Sequence, residues 1–107
     1  MARQHPAIER PAEDAAGGET EALCAALLAL KTPDEARRFL ADLCTPAEVR
    51  ALSERWHVAR LLDEGARSYR DISEETGVST ATIVRVARFL REERHRGYRL
   101  VIDRLKS

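Results

Sequence analysis

No stretch of this chain holds the roughly 20 consecutive apolar residues that a bilayer-spanning helix needs, so the sequence predicts no membrane segment. The leading residues MARQHPAIERPAEDAAGG have no apolar h-region, which argues against a secretory signal. A cytoplasmic, reducing compartment is the expectation. Cysteine is scarce: Cys24 and Cys44 stand far apart, each among leucines and alanines at helical spacing. That pattern predicts reduced core thiols and neither a disulfide framework nor a metal site. His57 and His95 have no acidic or histidine partner at ligand spacing, so metal binding and general-base catalysis are both unsupported. Nucleophile, base and pocket do not come together anywhere, so no enzyme and no cofactor are expected. Strand-like alternation is also missing, and aromatics are only 5% of the chain. The fold class that remains is all-α, in one domain at most.

Net charge is lacking too, with 18 basic and 18 acidic residues, but the balance conceals an asymmetry. Residues 1–48 hold five basic and nine acidic side chains, a balance of −4. Residues 49–107 hold thirteen basic and nine acidic, a balance of +4. Segregation of this kind concerns local fields, and it makes the C-terminal half the candidate for a polyanionic partner.

Residues 1–18, rich in Ala, Pro, Gly and Glu, carry too little apolar surface to offset the entropy of ordering, and a flexible tail is expected there. From Thr20 the pattern becomes helical, with Leu23, Leu27 and Leu30 on one stripe. TPDE at 32–35 and TPAE at 45–48 then repeat one start signal. In each, threonine caps, proline takes the first helical position and glutamate completes a reciprocal box. Helices over about 20–31, 33–43 and 46–64 follow, the third with Val49, Leu52, Trp56, Ala59 and Leu62 on one side and Gly65 at its end. Ser68, with Asp71 three residues on, starts a short helix that Gly77 closes; Ser79 starts another reaching about residue 93. After Gly97, YRLVIDRL makes a sixth helix with Leu100, Val101 and Leu105 apolar. Six short helices leave more leucine surface than one thin subunit can cover, which predicts an interlocked homodimer.

Residues 67–93 read RSYRDISEETGVSTATIVRVARFLREE: a short helix, a glycine turn and a longer helix. At 100° per residue Ile83, Val86 and Leu90 fall together, with Ala87 nearby, while Ala81, Val84, Arg85 and Arg88 lie opposite. This is the pattern of a helix-turn-helix that reads double-stranded DNA. A recognition helix must approach base edges closely, and Ser79, Thr80, Ala81 and Thr82 are small enough. Hydroxyls can bond phosphates or bases, and the methyls of Thr80, Ala81 and Val84 can meet a thymine methyl. Ser68 and Arg67 at the start of the shorter helix, and Arg70 within it, can reach phosphates or a guanine edge. An arginine-rich face is also what a solvated surface looks like, so a helical module docking on a protein, such as the transcription machinery, stays open as an alternative.

Taken together, DLCTPAE, LSERWHVARLL, ISEETGVSTATIVRV and GYRLVIDRL resemble the Trp-repressor superfamily, and within it the Trp-repressor-related YerC/YecD group. The likeness runs over roughly residues 20–105, and residues 19–107 are expected to form the domain. It implies a six-helix, intertwined homodimer placing two recognition helices in successive major grooves, about 34 Å apart on a palindromic operator. Arg70, Thr80, Ala81 and Val84 fall at the family's DNA-contact positions, although the repressor has threonine where this chain has Val84. For the effector pocket, the resemblance carries over Thr45, Arg55 and Arg85. The next two positions, glycine and serine in the repressor, are Val86 and Phe89 here, so the chain's own side chains are expected to fill the volume a tryptophan needs. A tryptophan-independent repressor is the reading that results. Arg55 and Arg85 leave a smaller amino acid or metabolite as an open question.

Overall fold

The computed structural model describes residues 12–92 and 94–107. It forms six helices, and no strand occurs among the described residues. They divide into two compact units, one up to Leu43 and the other from Cys44 onward.

The first unit contains α1 (Ala12–Ala29) and α2 (Pro33–Leu43). Helix α1 starts well before the expected Thr20. Ala and Glu carry the helical conformation through Gly17 and Gly18, each of which costs about 1 kcal/mol relative to alanine. The expected tail overlaps this start, and its first 11 residues lie outside the described ones. At α2, Thr32 Oγ1 accepts the Glu35 N–H at 3.1 Å, as expected of a cap. The Glu35 carboxylate, however, accepts from the Lys31 N–H at 2.8 Å, one residue before the expected partner. Leu23, Leu27 and Leu28 of α1 and Leu43 of α2 are all exposed, and α2 buries no residue.

The second unit contains α3 (Pro46–Glu64), α4 (Tyr69–Thr76), α5 (Thr80–Arg91) and α6 (Gly97–Lys106). Thr45 starts α3 through the full reciprocal box, with Oγ1 accepting the Glu48 N–H at 3.1 Å and Glu48 Oε1 accepting the Thr45 N–H at 2.8 Å. Gly65 ends it at φ 76°, a left-handed conformation that side chains with a Cβ resist. The core gathers Val58, Ala59, Leu61 and Leu62 of α3 and Ile72 of α4 around Ile83, Val86, Ala87 and Leu90 of α5, with Val78 and Ile102 closing it. Ile72 and Ile83 are wholly buried, each contributing about 1.5–3 kcal/mol relative to exposure.

One expectation needs correction. Cys24 is exposed and Cys44 half-buried, so neither thiol belongs to the core, although both are free. On α6 the core residue is Ile102, whereas Leu100, Val101 and Leu105 stay exposed. The same holds for Leu52 at the N-terminal end of the α3 stripe. The sequence period identifies an apolar face, but which part of it is covered depends on what packs there.

An ion-pair clamp joins the ends of this unit. The Asp63 carboxylate, only 10% exposed, accepts from Arg99 Nη2 at 2.8 Å and from Lys106 Nζ at 2.6 Å, pinning α6 to the end of α3. Hydrogen bonds from Lys106 and then Arg99 hold its pKa below the ordinary carboxylate value of 3.8. Arg99 is correspondingly raised, by Asp63 first and Asp103 second.

Candidate nucleic-acid interface

Helix α4, its glycine turn and α5 are built by caps and side-chain bonds that leave little freedom between the two axes. Ser68 Oγ accepts the Asp71 N–H at 3.0 Å while the Ser68 N–H donates to Asp71 Oδ2 at 3.3 Å, a second complete capping box. Gly77, at φ 77°, donates its N–H to Ser73 O and reverses the chain. Buried Val78 then anchors the turn. The Ser73 hydroxyl donates to Val78 O at 2.7 Å, and Thr76 Oγ1 donates to Ile72 O at 2.7 Å and accepts the Val78 N–H at 3.1 Å. Ser79 Oγ accepts the Thr82 N–H at 3.2 Å and donates to Thr82 Oγ1 at 3.1 Å, starting α5. Ser73 and Thr76 were not among the residues singled out from sequence. Their position between an acidic helix end and a glycine was the only local signal.

Helix α5 separates its faces cleanly. Ile83, Val86, Ala87 and Leu90 are buried. Thr80, Ala81, Val84, Arg85 and Arg88 are exposed, with Val84 at 49% and Thr82 half-buried. Arg70 lies on the outer surface of α4 with its side chain 85% exposed. The exposed cations do not stand alone. Arg70 Nε donates to Glu74 Oε2 at 3.2 Å, and Arg88 Nε lies 4.0 Å from Glu92 Oε2. Arg67 is held more tightly: Nε donates to both Glu75 oxygens, at 3.0 and 2.9 Å, and Nη1 to Glu64 Oε1 at 2.9 Å. These bonds, Glu75 first, raise its pKa and tie the ends of α3 and α4 together. Sequence spacing offered Arg67 as a phosphate contact, and the structure gives it this bridging position. A further pair went unnoticed: Arg91 Nη1 donates to Tyr69 Oη at 2.6 Å, its guanidinium 6.0 Å from the ring centroid. Both line an open groove with Val84, Ala87 and Arg88 on the α4–α5 surface. Twenty-two residues separate the partners, beyond any local pattern.

Thr45, Arg55 and Arg85 are the residues assigned to an effector pocket. Thr45 uses its hydroxyl to cap α3. Arg55 is half-buried on α3. Arg85 lies over the Phe89 ring, 4.8 Å from guanidinium to centroid, a cation–π distance. Phe89 also stacks on His95, at 6.3 Å and 16°. Val86 is 1% exposed and sits within the core. Trp56, expected in the core, is half-buried against it and stacks on Tyr98 at 6.4 Å. Among the described residues no cluster of His, Cys, Asp or Glu could hold a metal ion, and no helix is long and apolar enough to cross a membrane.

An all-helical protein carrying an exposed helix-turn-helix, with small and basic residues on the outer face of its second helix, belongs by architecture to the DNA-reading class. The Trp repressor protein family model matches residues 19–106, and the chain is a member of that family, one of DNA-binding regulators. It is 44% identical over 91 residues to the uncharacterized protein YerC of Bacillus subtilis, covering 85% of this chain and 86% of that protein. The crystal structure of a TrpR-like protein from Eubacterium eligens superimposes with a TM-score of 0.76 at 47% identity, covering 83% of this chain and 90% of the other. A candidate Trp repressor from Staphylococcus aureus gives a TM-score of 0.78 at 35% identity, covering 92% and 96%.

Proposed function

We propose that this chain is a sequence-specific transcription regulator that represses by occupying a palindromic operator as a homodimer, without tryptophan as corepressor. The observation that carries the reading is the division of α5: a buried spine of Ile83, Val86 and Leu90 behind an open face of Thr80, Ala81, Val84, Arg85 and Arg88. Thr80, Ala81 and Val84 read bases through methyls and a hydroxyl, Arg70 reads a guanine edge or phosphate, and Arg88 holds the backbone. Ser68 and Ser79, whose hydroxyls cap their helices, offer the N-terminal ends of α4 and α5 to phosphate. Residues 19–107 act as the DNA-binding domain.

Two observations support the finer parts of the reading. Each unit leaves leucines open, Leu28 at 86% in the first and Leu105 at 70% in the second, surface that a second copy of the chain would cover. Val86 is buried and Phe89 lies against Arg85, which supports a site whose volume is taken by the chain's own side chains where the resemblance would seat an indole. Paired substitutions test the assignment. Arg70→Ala is expected to weaken a selected operator by about 1–3 kcal/mol if it reads a guanine. Arg88→Ala is expected to weaken all sequences alike and to lower the salt slope by at most about one, the signature of a phosphate contact. An affinity that is blind to sequence and vanishes near physiological salt would instead favour a helical module docking on the transcription machinery.

A further inference from the structure

The arginines on the proposed DNA face already hold groups of their own chain. Arg70 and Arg88 are paired with Glu74 and Glu92, each acid four residues on, and Arg85 covers Phe89. Exposure separates these from Arg67, whose side chain is 31% exposed and locked between two helices. Arg70 and Glu74 are 85% and 65% exposed, and Arg88 and Glu92 are 67% and 49% exposed. Pairs this open contribute little to folding. Arginine preceding glutamate by four residues is also the weaker orientation on a helix. Helix stability therefore does not account for the two acids.

We propose that Glu74 and Glu92 are intramolecular competitors for DNA phosphate, damping the sequence-independent part of binding. This rests on the DNA-binding reading above. An arginine that neutralises a phosphate releases close to one condensed counterion, the source of non-specific affinity. An arginine already facing a carboxylate brings that negative charge up to the phosphate with it, so attraction and ion release both fall. The base-facing groups of Thr80, Ala81 and Val84 are uncharged and lose nothing by this arrangement. The result is a chain of zero net charge that is kept off bulk DNA while its neutral readers retain their discrimination. The two carboxylates thus act as specificity determinants through the arginines they hold.

The test uses the full chain as wild type, as Glu74→Gln and Glu92→Gln singly and together, and as Glu21→Gln. The last makes the same charge change at an exposed position of α1, outside the helix-turn-helix. Fluorescence anisotropy on a random-sequence duplex, titrated across salt concentrations, reads affinity and salt slope. Each of the first two variants is expected to bind roughly two- to fivefold tighter at low salt, with the slope steepened by up to about one per carboxylate. Glu21→Gln should leave the slope near the wild-type value, and thermal melting should be unchanged throughout. Unmoved slopes in Glu74→Gln and Glu92→Gln, or an equal change in Glu21→Gln, overturn the proposal while leaving DNA binding intact. A wild type that binds neither selected nor random DNA overturns both this proposal and the reading beneath it.

Discussion

Substituting Asp63 by asparagine keeps the shape of the clamp between α3 and α6 and removes its charge. The carboxylate is 10% exposed and accepts at 2.8 Å from Arg99 and 2.6 Å from Lys106. Losing two charge-assisted hydrogen bonds would cost several kcal/mol if both donors were left stranded. They are not: Arg99 keeps Asp103 at 3.1 Å, and the Lys106 side chain, 65% exposed, returns to water. The net cost should therefore be about 1–2 kcal/mol near neutral pH, or a fall in Tm of roughly 5–15 °C for a domain of this size. The pH dependence carries the cause. Because the folded-state pKa lies below 3.8, the stabilisation is complete above that value and is lost as pH falls through the depressed one. Urea unfolding followed by circular dichroism, at fixed protein concentration, should show wild type and Asp63→Asn separated at pH 7 and converging as pH falls from 3.8 through the depressed pKa. An equal gap across that range would mean that packing, not the ion pairs, sets the difference, and the clamp would be refuted.

Gly77→Ala should destabilise the chain by about 1 kcal/mol and Gly77→Asn by less, since a Cβ there meets open space and only the left-handed backbone is penalised; a neutral Gly77→Ala in urea unfolding would contradict this. Calorimetric titration with tryptophan should give no binding heat if, as proposed, Val86 and Phe89 take up the volume an indole needs; micromolar binding coupled to tighter DNA affinity would refute that.

Much of this architecture is written in local chemistry. TPAE at 45–48 and Ser68 with Asp71 build capping boxes within four residues, and Gly65 and Gly77 take left-handed conformations that few other residues tolerate, so these helix ends follow from sequence. The α5 spine is equally legible because its period of 3.6 meets a core on one side. Contacts between distant residues were hidden. Asp63 meets Lys106 across 43 positions and Tyr69 meets Arg91 across 22, and no local period encodes either. Arg67 could not be told from a free surface arginine until Glu75 was seen beside it. Cys24 sits in an apolar helical pattern yet is exposed, so periodicity misjudged its burial.

The most direct test of a DNA-reading dimer is selection of bound duplexes from a random pool by the purified chain with no ligand added. The account predicts a palindromic consensus with half-sites about one helical turn apart, enriched without tryptophan. Recovery of unrelated sequences in proportion to the starting pool would contradict it.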